Sequence, residues 1–373
     1  MTTELSTEIL DTTLREGEQC YGVFFPVKVK KRIAILLDEI GVDFIEVGHP
    51  AAAPSIRQAI WEIANLNLRA RLIGHARLDK GEIRLVRELG LRWVGLFCGI
   101  NEKSRKKYNL SKQAIYRRTA DAIGHAKKLG LSIKFTCEDA SRTEPGELID
   151  FYEFLALLGV DRMSYADTVG IVRPEDVEKI HSRVNDRVPF NSLHFHFHND
   201  FGSAGENAVK AMQFGAQCID ASILGIGERA GLVSLEKVLA FLNGKNSKEY
   251  KTMQLREAAG LVKNCINREH YKNRRFAHKS GIHINGTIKD PASYEPIEPD
   301  SAGAKRILVL SKLIGRSGLQ TILSRHGFHH AEQDMTSLLL QIKSEDMLEL
   351  AGPEEICRYF MERGLGRQEV ERA

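Results

Sequence analysis

The sequence predicts an α/β protein whose main domain is a (β/α)8 TIM barrel, followed by a smaller, mostly helical C-terminal region. Eight short β-rich runs alternate with amphipathic stretches over about 240 residues, which matches the count and size of such a barrel. Several of these stretches end in a glycine that suits the position after a helix. A doubly wound sheet competes, but eight units overfill most such folds and no GxGxxG follows the first strand.

Each predicted strand is a short run bounded by polar or turn-forming residues. The eight runs are Glu8–Thr12, Phe44–Gly48, Arg71–Ala76, Trp93–Cys98, Ser132–Asp139, Arg162–Asp167, Leu193–His198 and Cys218–Ile223. Helical periodicity is clearest over Val27–Ile40, Lys112–Leu129 and Leu255–Ile266. The glycines that would end helices are Gly41, Gly90, Gly130, Gly159 and Gly215.

The length of 373 residues suits one large barrel with an appendage. We predict a catalytic barrel over residues 1–242, a linker helix and active-site flap over 243–307, and a C-terminal helical subdomain over 308–373. The flap region, RRFAHKSGIHINGTIKDPASYEPIEPDSAGAKR, is punctuated by Gly and Pro and has little regular periodicity.

Composition excludes several classes of protein. Apolar residues make up 43% and charged residues 27%, as in a globular protein with a full core. A net charge of +4 is too small to indicate a nucleic-acid partner. No apolar run approaches the roughly 20 residues of a membrane span, and the N-terminus lacks a signal-peptide pattern. The 6 cysteines are scattered without a CxxC, so we expect no disulfide scaffold, no cysteine-based zinc site and a cytoplasmic location.

Polar side chains follow nearly every predicted strand. They are Arg15, Glu16, His49, His75, Glu138, Asp139, Asp167, Thr168, His196, His198, Asn199 and Asp200. Active sites of TIM barrels lie at the C-terminal ends of the strands. We therefore expect these side chains to surround one site.

The seventh strand carries a candidate metal motif, HFHFHND, over residues 194–200. Side chains two apart share a face of a strand, so His196 and His198 can both point into the barrel mouth. His194 has the same parity but lies deeper. Two imidazole ligands call for an acidic third one, and the first strand offers Asp11 or Glu16. Arg15 supplies a fork donor for a carboxylate or carbonyl oxygen, unless it only pairs with a neighbouring acid.

Three further motifs admit two interpretations each. GIGERAG, residues 225–231, is either a phosphate cradle or a tight turn. HKSGIH, residues 278–283, with the following Tyr294, is either a catalytic flap or a structural segment. The basic cluster Lys103, Arg105, Lys106 and Lys107 is typical of a solvated face but could steer an anionic substrate.

The chain resembles the homocitrate synthase and 2-isopropylmalate synthase family over about Ile9 to Gly318. The resemblance rests on four motifs that occur in the same order as in that family: DTTLREGEQ, HFHFHND, GIGERAG and HKSGIH. These enzymes are DRE-type TIM-barrel metallolyases. The resemblance implies an acetyl-CoA-dependent acyltransferase of amino-acid biosynthesis, which adds acetyl-CoA to a 2-oxo acid and then hydrolyses the thioester. It also implies a domain-swapped homodimer in which the flap reaches over the partner's barrel.

The resemblance implies roles for individual residues. The metal ligands would be Glu16, His196 and His198, and the metal could be Zn, Mn, Mg or Co. The implied catalytic residues are Arg15, Glu138, His283 and Tyr294. The implied 2-oxo acid contacts are Arg15, Gln19, His75, Lys134 and Thr168. The expected acetyl-CoA contacts are Asn199, Gly225, Gly227 and Glu228.

The acceptor predicted from the resemblance is 2-oxoglutarate, with homocitrate as the product. Glu16 and Lys279 are the residue types that homocitrate synthases carry at these positions of the motifs. Lys134 would bind the distal carboxylate of 2-oxoglutarate as a point charge. Gly95 and Lys134 depart from the usual Asp and Arg, which leaves 2-isopropylmalate, citramalate or phosphonomethylmalate synthesis as alternatives. A metal-dependent aldolase or lyase and a catalytically inactive binding protein are the alternatives outside this class.

Overall fold

The computed structural model describes residues 5–187, 193–328 and 332–366. Eight parallel strands form a closed barrel in sequence order. They are β1 (Glu8–Asp11), β2 (Phe44–Gly48), β3 (Arg71–Ala76), β4 (Trp93–Cys98), β5 (Ser132–Cys137), β6 (Arg162–Asp167), β7 (Leu193–Phe197) and β8 (Cys218–Ala221). The ring closes because β1 pairs with both β2 and β8. The predicted TIM barrel is therefore confirmed.

The strand bounds agree closely with those predicted. β2, β3, β4 and β6 match at both ends, and the other four start as predicted but end one or two residues earlier. The residues just beyond these ends stay close to the sheet. The N–H groups of Thr12, Glu138 and His198 still donate to a neighbouring strand, at 2.8, 3.1 and 3.3 Å.

In the described part of the chain, nine helices surround or connect the barrel strands. They are α1 (Val27–Ile40), α2 (Pro54–Ala64), α3 (Lys80–Glu88), α4 (Glu102–Tyr108), α5 (Lys112–Lys128), α6 (Pro145–Leu157), α7 (Val177–Asn185), α8 (Ala204–Gln213) and α9 (Leu235–Leu242). The glycine that ends α1 shows how the helix stops: Gly41 has φ of 98° and its N–H donates to Leu37 O at 3.1 Å. All five predicted helix-ending glycines have positive φ, as expected.

The rest of the chain packs partly against the outside of the barrel and partly over its mouth. Its helices are α10 (Leu255–Asn264), α11 (Arg268–Lys272), α12 (Gly281–Lys289), α13 (Arg316–Arg325), α14 (Glu332–Ser344) and α15 (Pro353–Glu362). Its short strands are β9 (Ala277–His278), β10 (Ile307–Leu308), β11 (Leu310–Ser311) and β12 (Glu349–Leu350). These strands form two small sheets that sequence analysis did not predict. Within the described residues, no helix has the length and apolarity to cross a bilayer.

A buried ion cluster ties the C-terminal region to the barrel. Glu18, from the loop after β1, accepts a hydrogen bond from Lys30 at 2.5 Å and forms an ion pair with Lys312 at 3.1 Å, and all three side chains are buried. Burial alone would raise the pKa of Glu18, but the two ammonium groups outweigh it and lower this pKa to about 2. Burial also lowers the pKa of Lys30, so the cluster contributes less than the Glu18 shift by itself suggests.

Lys312→Met is expected to loosen this attachment. Glu18 keeps only one ammonium partner, which should lower the free energy of unfolding by about 1–3 kcal/mol. The difference from wild type should shrink as the pH falls from about 4.5 towards about 2, because protonation of Glu18 removes the attraction. Urea unfolding at several pH values measures this. The exposed Lys305→Met is the control, and equal stability of the two variants at pH 7 would contradict the prediction.

Candidate functional site

A cavity of about 850 Å³ opens at the C-terminal end of the barrel strands. Its wall combines the loops after the strands with segments of the flap and of the C-terminal helices. Nine residues to which the resemblance gave a role line it: Arg15, Gln19, Glu16, His75, Glu138, Thr168, His196, His198 and His283. Parallel strands of a barrel all point their C-terminal ends to one side, which is why residues so far apart in sequence meet there.

Arg15 is held at the cavity wall by two carboxylates. Its Nε donates to Glu46 Oε2 at 2.8 Å, and its guanidinium also contacts Glu16. Burial would raise the pKa of Glu46, but Arg15 and Lys134 outweigh it and hold this pKa well below its usual range. Arg15 thus pairs with neighbouring acids and also faces the cavity, so the two interpretations offered from the sequence are compatible.

The two candidate imidazole ligands stand side by side. The ring centroids of His196 and His198 are 5.1 Å apart. His196 Nδ1 lies 3.2 Å from Asp220 Oδ2, which leaves Nε2 as the nitrogen not engaged by this contact. His198 Nδ1 is buried without a hydrogen-bond partner among the described residues. Burial, followed by the charge of Arg229, lowers the pKa of His198 well below its usual value, so the imidazole is neutral.

Glu16, the third predicted metal ligand, has one carboxylate oxygen engaged by neighbouring side chains and the other nearly free. Its Oε2 accepts from Gln19 Nε2 at 2.9 Å and also contacts Arg15, while its Oε1 has a single long contact of 3.4 Å with the Glu228 N–H. Within the described chain, the one group of three potential ligand side chains whose atoms all lie within 4.8 Å of one another is a different one: His194, Cys218 and Asp220.

That second group lies in the barrel interior and already contains a cation. Lys134 Nζ lies 2.6 Å from Asp220 Oδ2 and 3.1 Å from Glu46 Oε1. Burial raises the pKa of the Cys218 thiol well above its usual value, so the thiolate that binds metals is disfavoured. The distances within the group would allow it to hold a metal ion. However, the ammonium of Lys134 already neutralises Asp220, the carboxylate that the metal would need.

The structure does not support the predicted role of Lys134 on the distal carboxylate of the substrate. Its side chain is 1% exposed, is absent from the cavity wall, and is held by Glu46 and Asp220. Pairing two buried carboxylates is the physical reason that the ammonium points inward rather than into the cavity.

A second polar group lies on the opposite part of the wall. Glu138 accepts hydrogen bonds from Lys107 Nζ at 2.6 Å and from the hydroxyls of Tyr108 and Tyr294, each at 2.5 Å. Burial would raise the pKa of Glu138, but Lys107 and the hydroxyl donors outweigh it and lower this pKa. Burial raises the pKa of Tyr294 well above its usual value. Glu138 is therefore ionised and Tyr294 neutral at pH 7.

The remaining predicted contacts are fixed by their own neighbours. The His75 ring stacks on Phe97 with centroids 4.7 Å apart, and burial lowers its pKa well below the usual value. Thr168 Oγ1 accepts from the Asp139 N–H at 2.8 Å. Both side chains still reach the cavity wall, where they can contact a small polar substrate.

The structure does not place the four predicted acetyl-CoA contacts, Asn199, Gly225, Gly227 and Glu228, on the cavity wall. GIGERAG forms a tight turn: Gly231 has φ of 82°, and a Cβ there would lie 2.0 Å from Gly225 O. Glu228 is fully buried, contacting His283 and lying 3.4 Å from His278 Nδ1. The close packing around Gly231 favours the tight-turn interpretation of this segment.

Sequence reasoning missed several residues that shape the site. Lys107 is buried against Glu138 rather than lying on a solvated face. Glu46 and Asp220 form the charged layer beneath the cavity. A signal for these two was present, because each is a lone acid within a short apolar strand. No signal indicated that Arg316 and Lys343, far along the chain, line the same cavity.

A closed eight-stranded barrel with imidazoles and carboxylates at its C-terminal mouth defines a TIM-barrel enzyme. The profile of the HMGL-like family matches residues 6–262, and that of the homocitrate synthase post-HMGL domain-like family matches residues 272–347. The chain belongs to the HMGL-like family, and within it to the homocitrate synthase group that carries this second domain.

Curated relatives agree with this assignment, and a solved structure shares the fold. The chain is 36% identical to the homocitrate synthase of Pyrococcus horikoshii over 345 residues, covering 90% of this chain and 94% of that protein. It is 34% identical to that of Saccharolobus islandicus over 364 residues, covering 92% of this chain and 79% of that protein. The HMG-CoA lyase structure from Bacillus subtilis shares the fold, with a TM-score of 0.64 at 22% identity, covering 73% of this chain and 99% of that chain.

Proposed function

We propose that this enzyme adds acetyl-CoA to a 2-oxo acid and hydrolyses the resulting thioester, with 2-oxoglutarate as the acceptor and homocitrate as the product. One observation carries the proposal: a single cavity gathers Arg15, Glu16, His196 and His198 with Glu138 and His283. The relatives named homocitrate synthase, which match over most of the chain, support the choice of acceptor.

A divalent metal is part of the proposal, held by Glu16, His196 and His198. The residues fit a cation. Asp220 engages His196 Nδ1 and so orients Nε2 as the donor, while Glu16 Oε1 has only one long contact. When bound there, the metal would polarise the oxo oxygen of the acceptor. Zinc, manganese, magnesium and cobalt all suit two imidazoles and a carboxylate.

The acceptor would lie against Arg15, Gln19, His75 and Thr168. Arg15 would donate to the carbonyl oxygen of the acceptor and stabilise the negative charge that develops during addition. Its pairing with Glu46 holds the guanidinium in place before substrate binds. The inward position of Lys134 favours testing acceptors without a distal carboxylate as well.

Proton transfer would fall to Glu138, Tyr294 and His283. Glu138 is ionised and touches the Tyr294 hydroxyl, so a proton can pass between the two along an existing hydrogen bond. His283 lies on the cavity wall and its ring centroid is 4.4 Å from that of Tyr294. The three side chains can therefore serve both the addition and the hydrolysis.

Tyr294→Phe is expected to lower kcat by about 10²-fold, in the range typical of a lost acid–base group. The ring and its packing remain, while the hydroxyl that donates to Glu138 is gone. Steady-state thiol release and a pH profile measure the effect, with Tyr116→Phe on α5 as the control. An unchanged kcat together with an unchanged pH profile would remove Tyr294 from the mechanism.

We further propose a homodimer in which the flap makes its contacts on the partner's barrel. In the single chain, His283 and Tyr294 contact the chain's own Glu228 and Glu138. Mixing inactive Glu16→Ala and His283→Ala subunits should restore activity if the flap crosses, because one mixed site then has both native residues. Failure to recover in mixed dimers would mean that each flap serves its own barrel.

The deciding assay measures thiol release from acetyl-CoA with a divalent metal. The acceptors are 2-oxoglutarate, 2-oxoisovalerate, pyruvate, oxaloacetate and phosphonopyruvate. Preference for 2-oxoglutarate supports the proposal, and preference for another acid keeps the chemistry but changes the product to 2-isopropylmalate, citramalate or phosphonomethylmalate. Thiol formation in the absence of any acceptor would contradict the proposal and indicate simple thioester hydrolysis. No thiol with any acceptor would also contradict it and favour a lyase or a catalytically inactive binding protein.

A further inference from the structure

One wall of the cavity comes from the C-terminal helices, a region in which the sequence carries no interpretable motif. Gly315, Arg316 and Ser317 at the start of α13 line it, together with Leu339 and Lys343 of α14. Leu339 and Lys343 are four residues apart on one helix and therefore share a face. The C-terminal region is thus part of the cavity and not only a structural appendage.

The charges along the cavity are unevenly balanced. Three cations on the wall are neutralised locally: Arg15 by Glu46, Arg77 by Glu82 and Lys107 by Glu138. Among the side chains that the structure describes, no ion pair is formed by the two cations of the C-terminal wall, Arg316 and Lys343. Instead, Arg316 donates to Thr336 Oγ1 at 2.6 Å, and Lys343 donates to the backbone oxygen of Ala52.

Lys343 keeps its positive charge in an unfavourable setting. It is partly buried, and burial together with the charge of Arg77 lowers its pKa. An ammonium in this position is stabilised when an anion binds beside it. The geometry adds to this, since α12 and α13 both begin at the cavity without a side-chain cap, and their first N–H groups favour negative charge.

We propose that Arg316 and Lys343 bind the phosphate groups of the CoA portion of acetyl-CoA. This inference rests on the proposed function and names the part of the cavity that takes the thioester substrate. The reacting groups at Arg15, His196 and Glu138 occupy the barrel end of the cavity. CoA is long and carries its phosphates far from the thioester, so they belong at a part of the wall that the reacting groups do not form, such as the one made by α13 and α14. The Arg316 guanidinium suits a phosphate fork, and Lys343 adds a point charge.

Arg316→Ala and Lys343→Ala test the assignment by separating the two substrates. Each should raise the KM for acetyl-CoA about tenfold, the loss expected for one partly exposed charged contact, while leaving kcat and the KM for the oxo acid within about twofold. Lys343→Arg should restore most of the affinity, which guards against a loss due to misfolding. Arg325→Ala, on the same helix but off the cavity wall, is the matched control.

Two additional measurements identify the phosphate and separate the two proposals. The first uses 3′-dephospho-acetyl-CoA, which lacks the phosphate on the ribose. If Arg316 and Lys343 bind that phosphate, wild type should bind this analogue more weakly than acetyl-CoA, whereas each variant should bind the two equally. If a variant also binds the analogue more weakly than acetyl-CoA, its replaced side chain binds the pyrophosphate instead. Titration calorimetry with CoA alone reports binding without turnover. Weakened CoA binding in the variants supports the inference even if wild type turns over no acceptor. Unchanged CoA binding and unchanged KM in both variants would overturn it while leaving the proposed reaction intact.

Discussion

His198→Ala should abolish CoA release, with a loss of about three orders of magnitude. Removing one of three metal ligands should empty the site, and a metal that polarises the acceptor oxygen is worth several kcal/mol of barrier. The buried Nδ1 of His198 has no hydrogen-bond partner among the described residues, so replacing the imidazole breaks no hydrogen bond at this atom. Folding should therefore be largely preserved.

The metal content of the purified chain is the readout that does not depend on turnover. Bound metal per chain, measured by elemental analysis after dialysis, should fall with His198→Ala and stay unchanged with His125→Ala, a histidine on α5 away from the cavity. The inner group supplies the opposing outcome. Metal retained in His198→Ala but lost in Cys218→Ser would place the ion at His194, Cys218 and Asp220 instead.

Lys134→Met should destabilise the fold more than Lys312→Met does. It leaves the buried carboxylates of Glu46 and Asp220 without their shared ammonium, and breaking a buried ion pair from one side costs about 3–5 kcal/mol of unfolding free energy. Asp220 also orients His196, so Asp220→Asn should lower metal affinity by about ten- to a hundredfold. Urea unfolding and a metal titration measure the two effects.

Two further variants keep this prediction falsifiable. Glu46 still pairs with Arg15 in Lys134→Met, so Asp220 carries most of the uncompensated charge. Lys134→Met combined with Asp220→Asn removes that charge and should recover part of the stability. Lys106→Met, at an exposed pair on α4, should change stability by less than about 1 kcal/mol. If Lys134→Met instead leaves stability unchanged and raises only the KM for the oxo acid, Lys134 contacts the substrate, as sequence analysis expected.

The strands and helix ends were predictable because their determinants are local. A glycine such as Gly41, whose backbone φ is 98°, ends a helix wherever the preceding periodicity stops. Side-chain parity along β7 and the residue after it placed His196 and His198 on one face, and barrel topology then brought them to the same end as Arg15. The gathering of nine candidate residues around one cavity follows from these rules and from the shared direction of parallel strands.

By itself, the sequence determined the barrel, the order of its strands and the identity of the residues at its mouth, because hydrophobic period and strand polarity act within a few residues. Only the tertiary structure decided where the long side chains point and which distant segments complete the cavity. Lys134 turns inward because two carboxylates from β2 and β8 meet it there. The turn around Gly231 closes on itself, and Arg316 and Lys343 arrive at the cavity through the packing of α13 and α14. The contacts of Lys134 and Lys343 join residues dozens to hundreds of positions apart, and no local pattern encodes the charge or the space that each will meet.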